Sequence, residues 1–182
     1  MNHSQALPAV IGLFAAFFSP SPLRAQSPPV QQAVAIGCGP ESETFSVKTD
    51  STQHPMTQPD SGKALVYFLE DDDEVAGPNN PTTRMGIDGA WVGANQGDSY
   101  FYVNVAPGEH HLCADWQKAI LLHNAREAAA LHFTAQAGGI YFFRVRSYWS
   151  GDKSDIKFRA DDSDEAQLLM SRYAFSTSKP KK

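Results

Sequence analysis

The sequence predicts a mostly β protein, an antiparallel β-sandwich of about seven or eight short strands with one C-terminal helix. Three observations lead there. Short apolar or alternating stretches recur from residue 43 to residue 160, and Gly, Pro, Asn and Asp punctuate them. Asp88-Gly89 sits between two such stretches, which is the strongest short hairpin signal. Only near the C-terminus does the apolar spacing change to that of a helix.

The elements follow in chain order. Glu43–Lys48 alternates with Phe45 and Val47 on one face and reads as a short edge strand. Lys63–Glu70 is a near-continuous apolar run, the pattern of a central strand buried on both faces. It ends at the acidic run Asp71–Glu74 and the turn-forming Gly77–Pro81. Thr83–Asp88 and Ala90–Gly93 form the hairpin around Asp88-Gly89. In Ser99–Val105, Phe101, Val103 and Val105 point one way and Tyr100, Tyr102 and Asn104 the other. After the turn Ala106-Pro107-Gly108, the strand Glu109–Trp116 puts His110, Leu112, Ala114 and Trp116 on one face. Glu109, His111, Cys113 and Asp115 take the other. Residues 117–130 carry high helix propensity between two strands and are expected to make a short helical or irregular crossing. Leu131–Ala135 and Ile140–Tyr148 pair around Ala137-Gly138-Gly139, and Asp155–Ala160 adds one more strand. In the helix that follows, Asp162 and Glu165 form a capping box, and Ala166, Leu169, Met170 and Tyr173 mark one face.

The N-terminal residues concern compartment rather than fold. Residues 6–18 are an apolar run interrupted only by Pro8 and Gly12, shorter than the roughly 20 residues a spanning helix needs. The run matches the hydrophobic region of a secretory signal peptide, with cleavage expected after Ala25. The expected organisation is a signal peptide over 1–25 and an extended or linker segment with the edge strand over 26–61. The β-sandwich domain then occupies 62–175, and a basic tail 176–182. The mature chain is expected in the periplasm or secreted, without a transmembrane segment. The formal charge of −5 grows by one unit when Arg24 is removed. No basic stripe is present, which argues against a nucleic-acid partner.

Cys38 and Cys113 are the two cysteines. In an oxidising compartment they are expected to form a disulfide that ties the N-terminal segment to the core. Two rival roles compete for them. Ala35-Ile36-Gly37-Cys38 faintly resembles a lipoprotein acylation site, but the polar Ser27–Gln32 separates it from the apolar run. A zinc site built from His111, Cys113 and His132, with Glu109 as a further ligand, fits strand geometry without any recognised ligand spacing. The acidic run Glu70–Glu74 offers oxygen ligands for calcium, although a solvated loop is the simpler expectation. Trp91, Tyr100, Tyr102 and Trp149 are candidates for an aromatic surface that stacks on a glycan or binds an envelope protein, with core packing as the competing account.

Four stretches carry a family resemblance: Gly62-Lys-Ala-Leu-Val-Tyr-Phe, Ile87-Asp-Gly-Ala-Trp-Val-Gly, Tyr102-Val-Asn-Val-Ala-Pro-Gly-Glu-His-His-Leu and Ala137-Gly-Gly-Ile-Tyr-Phe-Phe-Arg-Val. Together they resemble the exported bacterial family known as domain of unknown function 2846, over roughly residues 60–172. Their Asp-Gly and Pro-Gly-x-His rhythm is also similar to the PEGA type of β module. The resemblance implies a small β-sandwich outside the cytoplasm and brings no catalytic residue or cofactor with it. No Gly-x-Ser-x-Gly, His-Glu-x-x-His or phosphate-loop motif is present. The expected role is therefore a non-catalytic binding or structural module of the cell envelope, with the zinc protein or enzyme as the alternative.

Overall fold

A computed structural model describes residues 37–72, 81–118, 127–150 and 153–181. Ten strands and one helix are arranged as two facing sheets. The strands are β1 (Phe45–Asp50), β2 (Ala64–Asp71), β3 (Thr82–Ile87), β4 (Ala90–Gln96) and β5 (Ser99–Val105), then β6 (Gly108–Trp116), β7 (Ala128–Ala135), β8 (Ile140–Ser150) and β9 (Lys153–Ala160). Helix α1 (Ser163–Met170) and β10 (Ala174–Pro180) complete the chain. The larger sheet has the order β1-β10-β5-β2-β8-β9, and the smaller β4-β3-β6-β7.

The sandwich is mixed rather than antiparallel. β2 runs parallel to β8, and β10 parallel to β5. Parallel neighbours need a long crossover between them. Between β2 and β8 the chain builds all of the smaller sheet, and α1 carries it towards β10. Sequence alternation identifies strands but says little about which distant strand becomes a neighbour. The segment expected as a basic tail also proves to be ordered. Residues 174–180 form β10, which pairs with β1 along its whole length, Phe45 opposite Pro180 through Asp50 opposite Phe175. Ser and Thr at alternate positions fit such a half-exposed strand, and the lysines lie at its end.

β2 is the central strand, buried at every position because both of its faces are covered. Ala64, Val66 and Phe68 point between the sheets, where they meet Met85, Leu112, Ala114, Trp116, Phe143 and Val145. Leu65, Tyr67 and Leu69 point outward, where Ala166, Met170 and Tyr173 cover them. The segment before β2 wraps the same outer face: Tyr67 Oη accepts from the Thr57 N–H (2.9 Å), and Tyr100 Oη donates to the Pro55 carbonyl. Asp162 caps α1 by accepting from the N–H groups of Asp164 and Glu165, one half of the expected capping box, while the Glu165 carboxylate accepts from Arg144 Nη2.

Of the segment 117–130, residues 119–126 lie outside the described residues. Ala128, Ala129 and Ala130 belong to β7 and pair with Asp115, Ala114 and Cys113. There the open edge of β6 decides the conformation, and alanine's helix preference does not.

Candidate functional site

The disulfide expected from the cysteine pair is formed, joining Cys38 to Cys113 across a separation of 75 residues. It fastens residues 37–44 to the outer face of the smaller sheet. Arg84, fully buried, does the rest of that work. Its Nη1 donates to the carbonyls of Glu41 (3.1 Å) and Glu43 (2.5 Å), and its Nη2 to Asp115 Oδ2 (2.9 Å). The guanidinium lies 4.2 Å from the Trp91 ring centroid, and Trp91 Nε1 donates to the Pro40 carbonyl. Gly86 permits the approach, because a side chain there would meet the Gly37 carbonyl oxygen at 2.5 Å.

These contacts bear on two of the sites that the sequence suggested. Cys113 is spent in the disulfide, so the set His111, Cys113 and His132 has no thiolate to offer zinc. His111 and His132 do face each other across β6 and β7, with ring centroids 6.3 Å apart, and Glu109 Oε1 is 3.8 Å from His111 Nε2. Among the described residues, however, no three His, Cys, Asp or Glu groups gather as metal ligands. Among the described residues, Trp91, Tyr100 and Tyr102 do not share one exposed face. Trp91 packs on the smaller sheet beneath the N-terminal segment. Tyr100 is fully buried on the outer face of the larger one, and Tyr102 is half-buried against Tyr67 and Phe175. The Trp149 side chain lies outside the described residues. Alternation had put Tyr100 and Tyr102 correctly on one face. What it lacked was the α1 and residue 51–62 cover that buries that face.

His110 is a turn-flanking residue with a defined role. Its Nδ1 is 2.7 Å from Asp88 Oδ2, and its Nε2 is 2.7 Å from the Ala106 carbonyl oxygen. Both ring nitrogens thus face acceptors, and only the imidazolium can donate to both. Burial opposes the charge, but the bonds to Ala106 and Asp88 prevail and raise the His110 pKa. Burial likewise works against the Asp88 charge, and the bonds from His111 N–H and His110 outweigh it, lowering the Asp88 pKa. The histidine's contribution is fully present below its unfolded value and is lost as pH rises through its higher folded value. The aspartate's is present above its unfolded value and is lost in acid. His110→Gln is expected to remove a stability loss on the order of 0.5 kcal/mol between about pH 6 and 8, small because Asp88 is open to solvent. Urea midpoints of both proteins across that range check it. Equal slopes would mean that His110 stays neutral.

Of the acidic run expected in a solvated loop, the first three residues depart from that expectation, and residues 73 and 74 lie outside the described residues. Glu70, Asp71 and Asp72 are all buried. Strand alternation divides them, because Asp71 follows Leu69 to the outer face while Glu70 and Asp72 continue the inward series Val66, Phe68. Asp71 meets cations there, 3.5 Å from Arg144 Nη1 and 3.3 Å from Arg146 Nε. Glu70 ends in the space between the sheets, where its Oε1 accepts from Thr83 Oγ1. Asn95, opposite Thr83 on β4, donates from Nδ2 to the Phe68 carbonyl. Ser147 accepts from Trp116 Nε1, and its hydroxyl favours the charged form of the buried Asp72. The Asp72 backbone N–H donates to Asp98 Oδ1 at the solvent-exposed β4–β5 turn. The ends of β2, β6 and β8 and the starts of β3 and β5 therefore converge on an oxygen-rich floor. Sequence reasoning named Glu70 and Asp72, within the acidic run, as oxygen ligands for calcium, but missed Thr83, Asn95 and Ser147 beside them. The available signal for their burial was the inward alternation from Phe68 through Glu70, which sets that carboxyl between the sheets.

Burial is the largest cause raising the Glu70 pKa well above the carboxylate range, and the charges of Asp72 and Asp98 add to it. Burial likewise lifts Asp72 to about 7 against the opposing bond from Ser147.

A family model described as protein of unknown function (DUF2846) matches residues 60–156, more than half of the chain. The chain belongs to the DUF2846 family. No curated protein matches it. The stretch matched by the DUF2846 model contains the whole oxygen-rich floor and Cys113. Cys38, β1, α1 and β10 lie outside it, so this chain fastens and covers its DUF2846 core with segments on both sides of the match. No helix among the described residues is long and apolar enough to cross a membrane.

Proposed function

We propose that this protein works outside the cytoplasm, in the periplasm or as a secreted protein, as a non-catalytic binding or structural module of the cell envelope. The observation that carries this reading is the Cys38–Cys113 disulfide. Such cross-links persist in oxidising compartments and are rare where thiols are kept reduced. The apolar run at residues 6–18, followed by a small-residue cleavage site, supports export independently. Buried arginine clamps and two covered sheet faces suit a rigid scaffold that presents its loop end to a partner such as an envelope protein or a glycan. The test is fractionation of the native host by osmotic shock, with thiol alkylation before and after reduction. The protein is expected in the released fraction, beginning at Gln26, with both cysteines alkylated only after reduction. A cytoplasmic protein that retains its first 25 residues and has two free thiols would refute the proposal.

A further inference from the structure

The floor between the sheets has a composition that its packing does not explain. Glu70 and Asn95 are fully buried, and both Glu70 Oε2 and Asn95 Oδ1 lack a hydrogen-bond donor. Leaving such groups bare in a protein interior costs about 1–3 kcal/mol each, more where charge is involved, so native interiors rarely do it without a water or ion. Among the described residues, oxygen predominates there: the carboxylates of Glu70 and Asp72, the Asn95 amide oxygen, and the hydroxyls of Thr83 and Ser147, with the Trp116 Nε1–H and the Asn95 Nδ2 already given to Ser147 and to the Phe68 carbonyl. The arginines lie elsewhere. Arg144 and Arg146 hold Asp71 on the outer face of the larger sheet, and Arg84 faces outward from the smaller one. Asp98, at the exposed β4–β5 turn and joined to the Asp72 backbone, marks the way in from solvent.

We infer that Glu70 and Asp72, with the neutral oxygens of Asn95, Thr83 and Ser147, form a site for a hard divalent cation of the calcium type. An all-oxygen set with two carboxylates two residues apart, Glu70 in β2 and Asp72 just beyond its end, suits calcium. Calcium also accepts the irregular geometry of side chains drawn from β2, β3, β4 and β8. Among the described residues no group of three His, Cys, Asp or Glu gathers as metal ligands, which argues against zinc and for weak, millimolar-range binding. Without the ion the carboxyls hold protons instead, since burial raises both of them. Calcium and protons therefore compete for the same oxygens. The inference rests on side chains within the fold and is independent of the compartment proposed above.

The experiment uses the mature chain stripped with chelator and titrated with calcium chloride alone, followed by calorimetry and by thermal unfolding. A dissociation constant of about 10⁻⁴–10⁻³ M is expected. At ten times that concentration the Tm is expected to rise by about 3–6 °C. The affinity should tighten as pH rises from about 6 to 8, because the ligands must shed protons. Glu70→Gln should weaken binding at least tenfold while folding normally, and Asp72→Asn should do the same. If calcium at about 10 mM leaves the Tm and heat unchanged at pH 8, these oxygens do not hold the ion and the inference fails. It also fails if both variants bind calcium as the wild type does, which would move the ion to another surface.

Discussion

Removing the Cys38–Cys113 cross-link, by reduction or by replacing both residues with alanine, is expected to lower the free energy of unfolding by roughly 4 kcal/mol. The bridge closes a loop of 75 residues, and loop-closure entropy of the unfolded chain sets that magnitude. The folded state should change little. Residues 37–44 stay anchored by the two carbonyls that Arg84 grips and by the bond from Trp91 to Pro40. The loss therefore falls chiefly on the unfolded ensemble, which becomes larger and exposes more surface. Urea unfolding of the oxidised and reduced proteins distinguishes the two sources. The expected result is a lower midpoint together with a steeper dependence on urea. A lower midpoint at unchanged slope, with new hydrogen exchange in β6, would instead mean that the strap detaches in the folded protein.

Strand positions were legible in the sequence because burial on one or both faces writes itself as period two or as a continuous run. Lys63–Glu70, the Asp88-Gly89 hairpin and the opposite faces of Ser99–Val105 all follow from that pattern. Asp88 takes a positive φ of 51° and Gly89 one of 84°, as the tight turn demands. Pairing between distant strands left no comparable mark. The parallel neighbours β2 and β8 are both apolar, and nothing in either names the other. The acids of the site were legible as oxygen ligands, but their burial and their neighbours were not, for a related reason. A run of acids is usually solvated, and only the neighbours supplied by β3, β4 and β8 bury this one. Trp91 failed as a surface residue because its partner, Arg84, lies on a different strand and arrives through pairing.

Arg144→Ala is expected to cost about 3–5 kcal/mol, the range for stripping one partner from a buried ion pair. Arg144 joins three elements at once. Its Nη1 meets Asp71 of β2, its Nε is 3.0 Å from Asp161 Oδ2, and its Nη2 is 2.5 Å from Glu165 Oε1 of α1. Without it, the nearly inaccessible carboxylates of Asp71 and Asp161 lose their main counter-charge, though Arg146 and Arg159 still touch them. Helix α1 also loses its clamp over Leu65, Tyr67 and Leu69. Burial already raises Asp161 against the pull of Arg144, so its removal raises that carboxyl further. A raised carboxyl stabilises the fold below its unfolded pKa, and that stability disappears as pH rises through the folded one. The variant's deficit should therefore be larger at pH 8 than at pH 5, and amide exchange in α1 should accelerate before that in β2. The neighbouring acids of β2 sharpen the test. Asp71→Asn removes a partner from arginines and should destabilise, whereas calcium-free Asp72→Asn at pH 8 removes an unpaired inward charge and should stabilise. Two adjacent aspartates with opposite effects would follow from alternation along one strand, with cations on one face and none on the other. Equal effects of the two substitutions would mean that the faces do not differ in charge as described.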